Sequence, residues 1–199
     1  LIHHLLQSAG IAARLGGNIG LPIMAQEPLL AGGVYILELS SYQLDLTFSL
    51  DCDVAVLLNI TPDHLDRHGD MARYAAPKAR LFAMQSDAHT AVIAAEDDYT
   101  RAVAASVSAK LVTVAAADIG AEQADWPSLQ GPHNAQNADA AIAAVRALGL
   151  TDAQIAAGLA SYPGLEHRME RVREMNGVLF VNDSKATNPT STAPALAAY

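Results

Sequence analysis

Near the C-terminal end, the seven residues Asn182, Asp183, Ser184, Lys185, Ala186, Thr187 and Asn188 combine an anion, a cation, two hydroxyls and two amides. They follow the apolar run 178–181, and a polar cluster at a strand end is where α/β folds place ligand chemistry. A polar turn leading into a helix cap is the plainer alternative. Glu38 lies inside an otherwise apolar stretch, Tyr-Ile-Leu-Glu-Leu at 35–39. A carboxylate there is costly unless it is paired or bound to a hard cation such as magnesium, which prefers oxygen ligands. Residues 59–68, Asn-Ile-Thr-Pro-Asp-His-Leu-Asp-Arg-His, gather ionisable groups behind another apolar run. Asp63 could equally cap a short helix, with the histidines on the surface. One cysteine and irregular histidine spacing make this a poor zinc site.

Three further segments carry weaker signals. Gly16, Gly17 and Gly20 form a glycine-rich stretch that could turn tightly or let its amides approach an anion. Its spacing matches neither the dinucleotide fingerprint nor the phosphate loop. Lys78 sits among alanines and reads as an ordinary helix lysine. His133-Asn134-Ala135-Gln136-Asn137 opens an Ala-rich helix. There Asn134 is expected to cap, and Asn137 has less reason to occupy a helix interior.

The elements that must position these residues alternate. Runs 34–39, 54–60, 91–95 and 111–114 read as strands, continuous in character as if buried on both faces. Runs 71–84, 97–106, 134–148 and 152–160 read as helices. Repeated strand-then-helix order predicts an α/β fold with a mostly parallel sheet flanked by helices. Residues 118–131 break this pattern as a connecting excursion. After Tyr162-Pro163-Gly164 the pattern changes: 168–175 and 178–183 flank Asn176-Gly177, a strong hairpin signal. This predicts a boundary near 164, with one domain over 1–164 and the start of a second over 165–199. Leu1, Leu5 and Leu6 follow helical spacing without an N-cap ahead of them, which reads as a helix cut in the middle and hence a fragment.

The chain has 199 residues, 51% of them hydrophobic, and a net charge of −9. Such a balance argues against a general nucleic-acid or anionic-membrane surface. A single cysteine, Cys52, excludes an internal disulfide and suits a reducing compartment. No apolar run approaches the roughly 20 residues of a membrane span.

In order along the chain, Gly-Gly-Asn-Ile-Gly (16–20), Leu-Glu-Leu-Ser-Ser-Tyr-Gln-Leu (37–44), Asn-Ile-Thr-Pro-Asp-His-Leu-Asp-Arg (59–67), Tyr-Ala-Ala-Pro-Lys (74–78), His-Asn-Ala-Gln-Asn-Ala (133–138), Gly-Leu-Glu-His-Arg-Met-Glu (164–170) and Asn-Asp-Ser-Lys-Ala-Thr-Asn (182–188) resemble the Mur ligases of peptidoglycan synthesis. The segments 38–43 and 182–188 are most similar to the member that adds D-glutamate to UDP-N-acetylmuramoyl-L-alanine. That resemblance implies a cytoplasmic, monomeric, ATP- and Mg2+-dependent amide ligase working through an acyl phosphate. Its partners would be those two substrates, with no nucleic acid and no membrane insertion. The readings held against it are a folylpolyglutamate-type ligase and a non-catalytic nucleotide-binding protein of the same fold.

The resemblance also implies roles. Glu38 and His64 become magnesium ligands, and Lys78 becomes a third once carbamylated. Lys78, His64 and Lys185 become the catalytic residues. Asn134, Asn137, Arg168 and Asp183 fall on ATP-binding positions, while Asn18, Ser40, Gln43 and Thr187 fall near the substrates. The family's phosphate loop should precede Leu1 and does not stand in this sequence. The UDP-binding domain and most of the glutamate-binding domain are likewise not in it, so residues 1–199 by themselves are expected to be inactive.

Overall fold

The computed structural model describes residues 1–187 and 189–196; Asn188 of the polar cluster lies outside them. The elements run α1 (Ile2–Ser8), β1 (Ala13–Gly17), β2 (Val34–Glu38), α2 (Ser41–Asp45), β3 (Val54–Leu57), α3 (Leu65–His68), α4 (Met71–Ala83), β4 (Thr90–Ile93), α5 (Asp98–Ser106), β5 (Lys110–Thr113), α6 (Pro132–Ala147), α7 (Asp152–Ala160), β6 (Glu170–Met175), β7 (Val178–Asn182) and α8 (Pro189–Leu196). Short 3-10 turns fill part of the 118–131 excursion.

β1 and β2 pair in parallel, with Ala13 opposite Val34 and Gly17 opposite Glu38. β3, β4 and β5 form a second parallel set with β4 in the middle. β4 reads as a strand covered on both faces. Ala91 and Ile93 pack with Ala55, Leu57, Tyr74, Phe82 and Val103 towards α4 and α5. Val92 and Ala94 point the other way, to Val114 and to Ala140 of α6. The side-chain period of two therefore places one helical layer on each side of the sheet. A larger core joins Leu5 and Leu6 of α1 to Ala138, Ala141 and Val145 of α6 and to Ile155 and Leu159 of α7. Trp126 and Leu129 plug that core, so the 118–131 excursion is tied down by two buried side chains.

The two parallel pairings are separate, and a cavity of about 540 Å³ runs between them. Its lining includes the consecutive residues Gly33, Val34, Tyr35, Ile36 and Leu37, the last four in β2, and Val54, Val56 and Leu57 of β3. Consecutive strand residues face opposite ways, so a cavity touching all of them runs along the strand edges. Lys78 and Phe82 of α4 close one side, and Ile2 of α1 closes another.

Several expectations are corrected in detail. Gly16 and Gly17 end a strand that periodicity did not reveal, so they are not a free turn. The strand expected at 54–60 stops at Leu57. β5 is an edge strand with three of its four residues exposed, not a strand buried on both faces. β6 and β7 form the expected antiparallel hairpin around Asn176-Gly177, both of which have positive φ.

Candidate functional site

Chemistry gathers at the C-terminal ends of the parallel strands. At the end of β2, Glu38 is exposed and its Oε1 accepts a hydrogen bond from Asn18 Nδ2 at 3.2 Å. The Asn18 backbone N–H donates to the Glu38 carbonyl at 2.7 Å. Gly17 makes this approach possible: its φ is +93°, and a Cβ there would overlap the Glu38 carbonyl oxygen. The glycines thus place an amide side chain on a strand-end carboxylate.

Two residues later α2 begins with a reciprocal cap. Gln43 N–H donates to Ser40 Oγ at 3.3 Å, and the Ser40 N–H donates to Gln43 Oε1 at 2.9 Å. Ser40 and Gln43, expected at a substrate, therefore also satisfy the helix start. That double duty was readable in the Ser-x-x-Gln spacing.

Beyond β3 the chain turns through His64, whose φ of 50° lies in the left-handed region. His64 occupies the N-cap of α3 and makes no capping bond there. Asp63 is not that cap; its Oδ1 accepts the His64 N–H at 2.9 Å and its Oδ2 lies 3.5 Å from the imidazole. The His64 ring packs edge-on to Tyr42 at 5.3 Å and to Tyr74 at 6.5 Å, centroid to centroid.

Lys78 shares this neighbourhood. Its Nζ stands 5.1 Å over the Tyr74 ring. Burial pushes the Lys78 ammonium below the usual lysine range, and the charge of Asp63 opposes that in part. The same two influences, burial first and Asp63 second, raise the Tyr74 phenol. Both groups feel Asp63, so Asp63, Tyr74 and Lys78 are neighbours. Leu37 and Leu39, on either side of Glu38, line the same cavity as Lys78. His64 and Lys78 thus meet through Tyr74 and Asp63, whereas Glu38, on the opposite strand face from Leu37, is not part of the cavity lining.

For a hard cation, Glu38 and Asp63 offer oxygen and His64 offers nitrogen. Among the described residues no three His, Cys, Asp or Glu side chains form a metal-holding group on their own. Lys78 fits the missing place only as a carboxylate derivative, and carbamate formation needs the neutral amine that burial favours. The donor chemistry fits magnesium on that condition.

A second group forms where α6 begins. Gly131, at φ +88°, is the N-cap and Pro132 the first helical residue, so Asn134 does not cap as expected. Asn134 instead donates from Nδ2 to the Gln130 carbonyl at 3.0 Å, and Asn137 Nδ2 donates to Asn134 Oδ1 at 3.3 Å. Met169, at φ 46°, bridges to the hairpin: its Sδ lies 3.0 Å from His133 Nε2, and its N–H donates to Asp183 at 3.0 Å. The structure thus brings Asn134, Asn137 and Asp183 to one joint. His133 joins them, with Nδ1 buried and without a hydrogen-bond partner. Burial lowers the His133 pKa, against the pull of Asp183.

The remaining expected residues are more open. Arg168, Lys185 and Thr187 are exposed. Lys185 is placed by its backbone, whose N–H donates to the His167 carbonyl at 3.1 Å. Near the first α6 turns, Gln136 donates to Glu96, which follows β4. Both groups therefore belong to the strands' carboxyl side. Residue types alone had not singled out Tyr42, His68, Tyr74 or His133; the first three stand out by their ring contacts and His133 by its contact with Met169.

A parallel α/β domain with its polar groups at the strands' carboxyl ends belongs to the class that binds ligands at that face. Residues 1–128 match the family model described as the Mur ligase middle domain. The chain belongs to the Mur ligase family. It is 59% identical over 200 residues to a Zymomonas mobilis protein named UDP-N-acetylmuramoylalanine--D-glutamate ligase, covering 100% of this chain and 45% of that one. A protein of the same name from Novosphingobium aromaticivorans is 59% identical over 203 residues, covering 100% and 46%. The chain thus spans about half the length of the curated relatives it matches. Among solved structures, MurF ligase from Thermotoga maritima in complex with ADP superposes with a TM-score of 0.74 at 19% identity, covering 99% of this chain and 52% of that one. E. coli FolC in complex with DHPP and ADP gives 0.61 at 20% identity, covering 96% and 59%. These two show the shared fold.

Proposed function

We propose that this chain carries the central site of an ATP-dependent ligase joining D-glutamate to UDP-N-acetylmuramoyl-L-alanine. The observation that carries the reading is identity of 59% across the whole chain to relatives bearing that name. In this reading ATP phosphorylates the substrate's terminal carboxylate. The amine of D-glutamate attacks the acyl phosphate, and the tetrahedral adduct expels inorganic phosphate. Both steps crowd anions together, so positive charge and aimed donors are needed. A magnesium ion held by Glu38, His64 and carbamylated Lys78 would neutralise the approaching carboxylate and polyphosphate.

The chain's own residues do the rest. Asn134 and Asn137 present amides at the start of α6 for the adenine, and Asp183 faces the ribose. Arg168 and Lys185, exposed on the segments flanking the hairpin, reach phosphate oxygens. Thr187 lies near the incoming glutamate. Asn18, Ser40 and Gln43 stand on the side of the UDP-sugar. The same reading divides the chain at 164, with an ATP-binding unit before it and part of a separate Rossmann-like ligase domain after it. It also makes the enzyme a cytoplasmic monomer.

The test is ADP release by the protein expressed from its full reading frame, given ATP, Mg2+ and UDP-N-acetylmuramoyl-L-alanine. Release that depends on D-glutamate supports the reading. Release that appears only with a folate acceptor would assign a folylpolyglutamate-type activity, and no release with either would leave a nucleotide-binding protein.

A further inference from the structure

The four rings Tyr42, His64, His68 and Tyr74 close a cycle. Tyr42 meets His64 at 5.3 Å and His68 at 5.7 Å, and Tyr74 meets the same two at 6.5 and 5.4 Å. Only His64 of these belongs to the expected metal set. His68 makes one further contact, a 3.1 Å hydrogen bond between its Nε2 and Ser41 Oγ. Ser41 is 3% exposed, so its hydroxyl depends on that partner. Ser41 lies in the first turn of α2, between Ser40 and Gln43. The α3 segment grips α2 a second time, because Arg67 lies 5.8 Å over the Tyr42 ring and 3.8 Å from Asp45. From α4, Arg80 donates to the Leu44 carbonyl.

We propose that His68 is a positioning residue: through Ser41 and the rings of Tyr42 and Tyr74 it locks α2 to the α3–α4 corner. Ser40 and Gln43, on the substrate side, and His64 and Lys78, on the metal side, are thereby held as one unit. Two physical facts require such a strut. His64 sits in a left-handed conformation that surrounding contacts must enforce. α3 has only four residues, too short to hold its own geometry. This role rests on the proposed ligase reading, but its geometry can be tested apart from it.

Three variants separate the contributions. His68→Phe keeps a ring and removes the hydrogen bond. Ser41→Ala removes the other partner. His68→Gln restores a polar group near the Nε2 position and can satisfy Ser41 as donor or acceptor. In hydrogen exchange, His68→Phe and Ser41→Ala are expected to speed the amides of Leu44 in α2 and of Leu46 and Thr47 just after it about tenfold, with α6 unchanged and His68→Gln, which keeps a hydrogen bond but loses the ring, in between. In kinetics on the full-reading-frame protein, His68→Phe should raise the half-saturating Mg2+ and the KM for the UDP-sugar about tenfold, the scale typical of groups that orient metal ligands. The KM for ATP should stay within about twofold, since Asn134, Asn137 and Asp183 lie at the other joint. Unchanged α2 exchange in both His68→Phe and Ser41→Ala overturns the proposal. So does equal acceleration of α6, or an equal rise in the KM for ATP. Absence of D-glutamate-dependent ADP release in the wild type would remove the ligase reading, and the exchange result would still decide whether the strut exists.

Discussion

Lys78 holds its charge where burial disfavours it: apolar side chains lie on the cavity side and its pKa is lowered, first by burial, although the Tyr74 ring face beneath favours the cation. The unfolded chain therefore binds this proton more readily than the folded one, so the lysine's cost is present at neutral pH and fades as pH rises towards 10.5. In buffer free of carbon dioxide, Lys78→Met should melt higher than wild type at pH 7, with the gap closing as pH rises; a gap that widens would contradict the burial argument. In the ligase assay, Lys78→Ala is expected to lose on the order of a hundredfold in rate or more, with partial recovery from added short carboxylic acids. Unchanged activity would remove Lys78 from the metal set. Gly17 is the complementary case, since its role lies in the backbone. Gly17→Ala should cost on the order of 1–3 kcal/mol in urea unfolding, because a Cβ at φ +93° meets the Glu38 carbonyl.

Among the elements, helix starts do more than begin helices. Asp97 caps α5 by accepting the Thr100 N–H at 2.8 Å, and its other oxygen accepts the Ile60 N–H at 3.1 Å. One carboxylate thus pins both the helix and the loop that leads to His64. Asp97→Ala should cost about 1–2 kcal/mol, at the upper end of cap losses. It should also weaken Mg2+ dependence more than Thr151→Ala, whose cap serves α7 alone; equal effects would separate the loop from the site. At the entry to β3, Asp51 accepts from the Ser86 side chain and backbone and from His89. These bonds, the Ser86 hydroxyl first, hold the Asp51 carboxyl at about 2, below its ordinary 3.8. A lowered folded value means the stabilisation is complete above pH 4 and is lost as pH falls towards 2. Asp51→Asn should therefore flatten the acid limb of a melting-temperature profile across that window.

In the molecule as a whole, β4 is paired on both sides and covered on both faces, whereas β2 and β3 each present an edge to the 540 Å³ cavity. Hydrogen exchange on the 199-residue chain should find β4 the slowest strand, with β2 and β3 appreciably faster. Most of this architecture was legible beforehand. Four of the helices came from Ala-rich runs, and the hairpin came from Asn-Gly. β1 was not legible, because Ala-Arg-Leu-Gly-Gly has neither alternation nor β-branched residues. Asn134 was misplaced as a cap because Gly131-Pro132 supplies the same start one turn earlier. Glu38, His64 and Lys78 were each ambiguous as single residues.

Local order is written in the chain: which segments become helix or strand, where they start, and which polar groups stand at their ends depend on neighbours a few positions apart. The sequence also carried the family resemblance, since the motifs keep their order. What only the folded arrangement decided is which polar groups meet. Tyr74 joins His64 to Lys78, Met169 joins His133 to Asp183, and Ser41 meets His68, across separations of 4 to 36 residues. The Tyr74–Lys78 step, four residues along one helix, follows from helical spacing; the other encounters depend on how layers pack and strands register, and no local propensity encodes them.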